Sequence, residues 1–304
     1  VHPELLVLSD PIALDPKQFI GIPIALVGAV FLSLGAQFQH RGVAKVEAAT
    51  GESPKGLNAR QMFALLARPS WVVGTLMLGL AVVFQLTSLG FSPIIVVQPL
   101  GAVALVITAV LNSRISKVSL NRSSVISIVL CVGGVGLFVL VAAFTAVDKP
   151  VTAGNLITIL IILAVVLVVF AAAFVVLGKG FKAIAYIIGA GVLYGFVATL
   201  AKVLISRLFQ GQFDWLTVLA FIGLLAAFAL GGYFVQNAYS SGPPDLVIAG
   251  LTVVDPLVAV GIGILVLGEA SQAPLWAGIL FLVFGAIATL GVFGLARYHP
   301  QAKR

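Results

Sequence analysis

Apolar residues in this chain come in nine long runs, broken by short polar connections. The runs place helices at about 18–40, 70–90, 93–112, 122–145, 153–177, 183–208, 214–238, 243–267 and 273–296. Each run is close to the 20 or so residues that a helix needs to cross the hydrocarbon layer. Strands of a membrane barrel would alternate over roughly ten residues, and no such alternation is present. The pattern predicts an all-α, polytopic membrane protein, because in lipid each backbone must satisfy its own hydrogen bonds. Only the connection at 41–69 is long, and there "NARQMFALLARPS", from Asn58, suggests an interfacial amphipathic helix.

Two of the runs carry the same phrase. "VVQPLGAV" spans Val96–Val103 and "VVDPLVAV" spans Val253–Val260, with six of eight positions identical at an offset of 157. Upstream, "FQLTSLGFSP" parallels "VQNAYSSGPP", aligning Gln85 with Gln236 and Pro93 with Pro244. Helices two and three thus correspond to helices seven and eight. With an odd helix between the halves, equivalent helices point in opposite directions, which is an inverted repeat. The expected organisation is an external segment at 1–17, a first repeat at 18–145 and a linking helix at 153–177. A second repeat at 183–296 and a cytoplasmic tail at 297–304 complete it.

Composition agrees with the pattern. Charged residues make up 9% of the 304, against about 25% in soluble domains. Thirteen Lys and Arg fall on one side of the predicted layer, and three (Lys17, Lys149 and Arg207) fall on the other. That bias predicts an external N-terminus and a cytoplasmic C-terminus in the cell (plasma) membrane. The net charge of +7 is then an orientation signal with some attraction to anionic lipid, and it calls for no nucleic-acid partner. The single cysteine, Cys131, allows no internal disulfide. The chain opens on Val1, which suggests processing or trimming, and residues 1–17 do not have the build of an intact signal peptide.

The repeated phrase also concentrates polarity. Proline has no N–H, so Pro256 frees the carbonyl of Thr252 and Pro99 frees that of Ile95, a helix break predicted in each half. The residue before each proline is polar: Gln98 in one copy and Asp255 in the other. Asp255 falls near mid-membrane, one turn after Thr252 on the same helix face. A carboxylate there costs about 2.5–3.5 kcal/mol on insertion scales, so it needs a protein or water environment. Carboxylate, hydroxyl and carbonyl together suit a proton, a cation or a substrate hydroxyl. Gln98, Gln85, Gln236 and Asn237 are candidates to line the same cavity, or to pair across helices. Lys202 is expected to snorkel to the interface. Gly191 and Gly195, and the cluster Gly133, Gly134 and Gly136, point to close helix packing. No Walker loop, HExxH, GxSxG or Cys/His cluster occurs, so neither an enzyme nor a resident cofactor is expected.

These residues bring a family into view. "TSLGFSPIIVVQPLGAVALVITAVL" resembles the helix pair of the drug/metabolite transporter superfamily, in its EamA-like and NIPA-like branches. "VVDPLVAVGIGILVLGE" is similar to the second-half counterpart, ending on Leu267, Gly268 and Glu269, where the first half has Asn112 in place of the acid. Nine helices with an external start resemble the NIPA-like branch more than the EamA-like one. The resemblance implies a secondary transporter of a small polar or amphiphilic metabolite by alternating access. The mid-membrane placement of Asp255, not the family, makes it the expected coupling or recognition group. A NIPA-like magnesium transporter or channel is the second reading, since Mg²⁺ keeps waters and uses one or two carboxylates. The third is a non-transporting membrane subunit or lipid-handling scaffold that docks an envelope enzyme. Partners are lipids and a small-molecule or ion substrate, with a homodimer and an envelope protein both open.

Overall fold

The computed structural model describes residues 19–50, 65–115, 121–177, 183–241 and 244–298. Among them are nine helices long and apolar enough to cross a membrane, and no strand. They are α1 (Gly21–Thr50), α2 (Pro69–Phe91), α3 (Ile94–Ile115), α4 (Arg122–Thr145) and α5 (Ala153–Leu177). After these come α6 (Ala183–Phe209), α7 (Trp215–Ser241), α8 (Pro244–Leu265) and α9 (Leu275–Tyr298). The protein is a multi-pass membrane protein. Helix α1 continues beyond the expected residue 40 to Thr50, because its polar end still favours helix after the apolar run stops. The external segment at 1–17 and most of the amphipathic stretch after Asn58 lie outside the described residues, as does the tail beyond Tyr298.

Glycines set how closely the helices pack. Gly21, Gly28, Gly35 and Gly42 recur every seven residues along α1, which keeps one stripe facing α2. A β-carbon on Gly35 would sit 3.0 Å from the Gly74 carbonyl oxygen, and one on Gly74 would sit 2.6 Å from the Gln39 nitrogen. The two helices run antiparallel, with Gly21 beside Ser88 and Ser92 at one end and Gly42 beside Trp71 at the other. Helices α6 and α7 are likewise antiparallel, placing Gly189 on Phe234 and Gly231 on Tyr194. Helix α8 lies parallel to α6, with Ile187, Gly191 and Gly195 meeting Gly250, Val254 and Val258 in turn. Helix α3 lies parallel to α1: the Ser33 hydroxyl donates to the Ala104 carbonyl at 2.8 Å, and the Gln37 amide donates to Asn112 Oδ1.

Helices α4 and α9 pack together in an antiparallel seam. Ser127 faces Gly294, Cys131 faces Gly291 and Gly134 faces Ala288. The Phe138 and Phe281 rings follow, 5.0 Å apart between centroids. Of the glycine cluster expected to pack, Gly134 alone does so; Gly133 and Gly136 have open space where a β-carbon would go. Three glycines this close cannot all point at one neighbour on a helix that turns 100° per residue.

Candidate functional site

Asp255 sits where α8 comes closest to α6. Because Gly191 and Gly195 have no side chains, the Asp255 main chain lies 3.3 Å and 3.0 Å from their β-carbon positions. The Asp255 Oδ1 atom is buried and has no hydrogen-bond partner. Tyr194 of α6, whose ring packs on Gly231 of α7, is within electrostatic reach of that carboxyl group. A buried acceptor without a donor costs about 1–3 kcal/mol.

The other predicted residues distribute differently. Gln98 is buried at 6% exposure in a 3₁₀ turn, Gln98–Leu100, that interrupts α3 at Pro99. Pro256 gives no such interruption: α8 runs through it as one helix, although the Thr252 carbonyl still lacks its usual N–H partner. The α6 glycines pack against that helix on either side of the proline. The Thr252 hydroxyl donates to the Ile248 carbonyl at 2.8 Å, so it is bonded along its own helix and does not group with Asp255. Asn237 likewise donates to the Tyr233 carbonyl at 2.7 Å, Gln236 is exposed and Gln85 is half-buried. Among the described residues no group of three or more His, Cys, Asp or Glu could hold a metal ion.

A second polar centre lies at the end of the bundle that carries the α2–α3, α4–α5 and α8–α9 connections. Proline at 93 starts α3, and the first N–H groups of a helix have no partner within it. Glu269 supplies one from 175 residues away: its carboxylate accepts from Ile94 N at 2.8 Å and from Ile95 N at 2.9 Å. The next two N–H groups, of Val96 and Val97, bond the Pro93 carbonyl at 3.1 and 3.2 Å. Negative charge at a helix N-terminus also meets the positive end of its dipole. Gly268, at φ +70°, turns the chain so that Glu269 points back, and Glu269 N donates to the Gly263 carbonyl at 3.0 Å.

Lys202 belongs to the same centre, and here the structure corrects the sequence. Its side chain does not snorkel to the interface. It is 3% exposed and donates to the carbonyls of Leu89 at 2.7 Å and Ser92 at 3.0 Å, and to Asp148 Oδ2 at 2.9 Å. The ammonium thus meets the carbonyls at the C-terminal end of α2, where the helix dipole is negative. Burial pushes the Glu269 carboxyl up to about 7, against the opposing pull of the Ile95 and Ile94 N–H groups and of Lys202. Asp148 adds a further upward push. A cleft of about 280 Å³, lined by Asp148, Lys149, Lys202 and Gln210 among others, opens beside the pair. Sequence reasoning saw the LGE ending but gave Glu269 no role, because both of its partners lie in the other half of the chain.

Comparison with known proteins fits this architecture. The family described as magnesium transporter NIPA, part of the wider drug/metabolite-transporter-like group, matches residues 16–231. An uncharacterized protein of Corynebacterium glutamicum is 25% identical over 92% of this chain and 96% of its own length. Two Arabidopsis thaliana proteins named as probable magnesium transporters, NIPA4 and NIPA1, are 30% and 26% identical over 45% and 40% of this chain. The matches span 39% and 35% of those plant proteins. No solved structure matches the chain. Of the two branches that the sequence resembled, the match falls on the NIPA-like one. The nine apolar helices, with residues 16–231 matched across α1 to α6 and most of α7, place the chain in the magnesium transporter NIPA family.

Proposed function

We propose that this protein carries Mg²⁺ across the membrane, with Asp255 as the cation's mid-membrane contact. The observation that carries this reading is the buried, unpartnered Oδ1 of Asp255 in a chain whose family is named for magnesium transport. Mg²⁺ sheds water reluctantly and is generally held by one or two carboxylates with waters kept. A lone carboxylate beside Tyr194 suits that manner of passage better than a closed protein cage. The repeated phrases, the antiparallel α4–α9 seam and the parallel α1–α3 and α6–α8 pairs support an inverted repeat. The basic-residue bias supports an external Glu269 end.

The absence of an acidic or histidine cluster among the described residues also favours a second reading. In it Asp255 exchanges a proton while a small polar metabolite moves. Purified protein in liposomes with an internal Mg²⁺ indicator separates the two. Wild-type vesicles should admit Mg²⁺ faster than empty ones. Asp255→Asn should lower the rate about ten- to hundredfold, the worth of one charged contact. Wild-type uptake at the empty-vesicle rate would sink the magnesium reading. Uptake of an organic solute driven by a pH gradient, and lost in Asp255→Asn, would establish the second.

A further inference from the structure

The ties that Glu269 and Lys202 make each join elements from different halves of the chain. Glu269, between α8 and α9, bonds the first turn of α3. Lys202, in α6, bonds the last turn of α2 and the connection after α4. Both side chains are almost wholly buried, at 1% and 3% exposure. Ile94 stands at the joint, with its β-carbon 3.6 Å from the β-carbon position of Gly263 on α8. Nothing about a stable helix bundle requires a carboxylate and an ammonium to be buried here, since apolar replacements of buried ion pairs are often neutral or stabilising. Interactions that can be exchanged for water are what a reversible closure needs.

We propose that Glu269 and Lys202 are the gate residues of this end, that the structure is the state shut there, and that opening lifts the α8–α9 connection off α3. The proposal rests on the transport reading for what the gate admits, but not for whether it opens. The groups facing Glu269 are Lys202 from α6 and Asp148 from the α4–α5 connection, with Lys149 next to Gly268; α3 offers main-chain N–H groups. Glu269 is held up to about 7 when shut and returns toward the ordinary carboxyl value of 4.5 when solvated. The shut state therefore binds more protons, so acid favours it, and rising pH between those values favours opening.

Thiol accessibility tests this without measuring transport. Ile94→Cys is placed in the full chain with Cys131→Ala and labelled with a membrane-impermeant thiol reagent. The reagent is applied from whichever membrane face labels the exposed reference Gln212→Cys. Rates are taken relative to that reference, which removes the thiol's own pH dependence. Ile94→Cys should label slowly, and adding Glu269→Ala or Lys202→Met should speed it about tenfold or more, as loss of a charged hydrogen bond implies. In the parent the relative rate should rise from about pH 5 to about pH 8, and Glu269→Gln should abolish that rise. Labelling of the parent as fast as the reference would show that this end is not shut. Unchanged rates in both Glu269→Ala and Lys202→Met would overturn the gate. If either variant fails to fold, the other decides, and a flat pH profile in the parent removes Glu269 as its sensor. Mg²⁺ uptake is read separately, so either proposal can fail alone.

Discussion

Glu269 and Asn112 occupy matching places, since the offset of 157 that aligns the two proline phrases also aligns them. Their bonds do not match. Glu269 reaches out of its half to cap α3 with both carboxylate oxygens. Asn112 stays within its half, accepting from Gln37 of α1. A carboxylate has acceptors only and must find donors, which a bare helix start provides; an amide satisfies itself with another amide. The two phrases match in sequence, yet the two ends of the bundle are tied differently. One end is bonded across the halves by charged side chains. At the other the Asn112 bond stays within the first half, and neutral Asn121 and Ser124 of α4 donate to the Tyr298 carbonyl of α9 at 2.9 and 2.8 Å.

Truncating the two residues should break that comparison most visibly. Glu269→Ala leaves two buried N–H groups unsatisfied, at about 1–3 kcal/mol each. Asn112→Ala should cost nearer 0.6 kcal/mol, roughly the average for a hydrogen bond between membrane helices. Thermal unfolding in detergent measures both, and equal losses would mean that the ends are held alike. Lys202→Met comes next, at about 1.5–3 kcal/mol for a charged hydrogen bond, with Asp148 able to turn to solvent from its 32% exposure. A double-mutant cycle with Glu269→Ala should depart from additivity by more than about 0.5 kcal/mol, because the two charges interact. Additive losses would make them separate features rather than one closure.

The smallest effect is expected at Asp214, which bonds Arg207 at 2.6 Å across the α6–α7 turn, inside one half. The Thr217 N–H, and then Arg207, hold its carboxyl below the ordinary range. Its contribution is present above the ordinary value of 3.8 and fades as pH falls through and below it. Wild type and Asp214→Asn should therefore converge in unfolding temperature on acidification, with Ile94→Cys labelling unaltered. A faster label in Asp214→Asn would extend the gate to this turn.

Much of the frame was legible from the run lengths, which track the bilayer and so survive any detail of packing. Asp255 could be singled out because a mid-membrane acid is conspicuous without a structure. Its isolation from Thr252 could not, since a hydroxyl on a helix can bond its own turn as easily as a neighbour. Lys202 was misread for a related reason. Distance from a helix end suggests snorkelling, but the carbonyls it reaches belong to α2, more than a hundred residues earlier. Glu269 had the same long-range character. The α1 glycines were legible by their spacing of seven, and that was the signal that the pattern of apolar runs drowned out.

That glycine stripe constrains how the molecule can move. Where side chains lie between two helices they form a cushion, and a cushion permits rotamer changes and small slides. Along α1 and α2 main chain rests on main chain, with Gly74 and Gly35 meeting through backbone atoms. Shear across such a joint has no compliant layer to absorb it. The α1–α2 pair is accordingly a stiff lever, and any stroke that empties or fills the interior must be taken up at joints outside it.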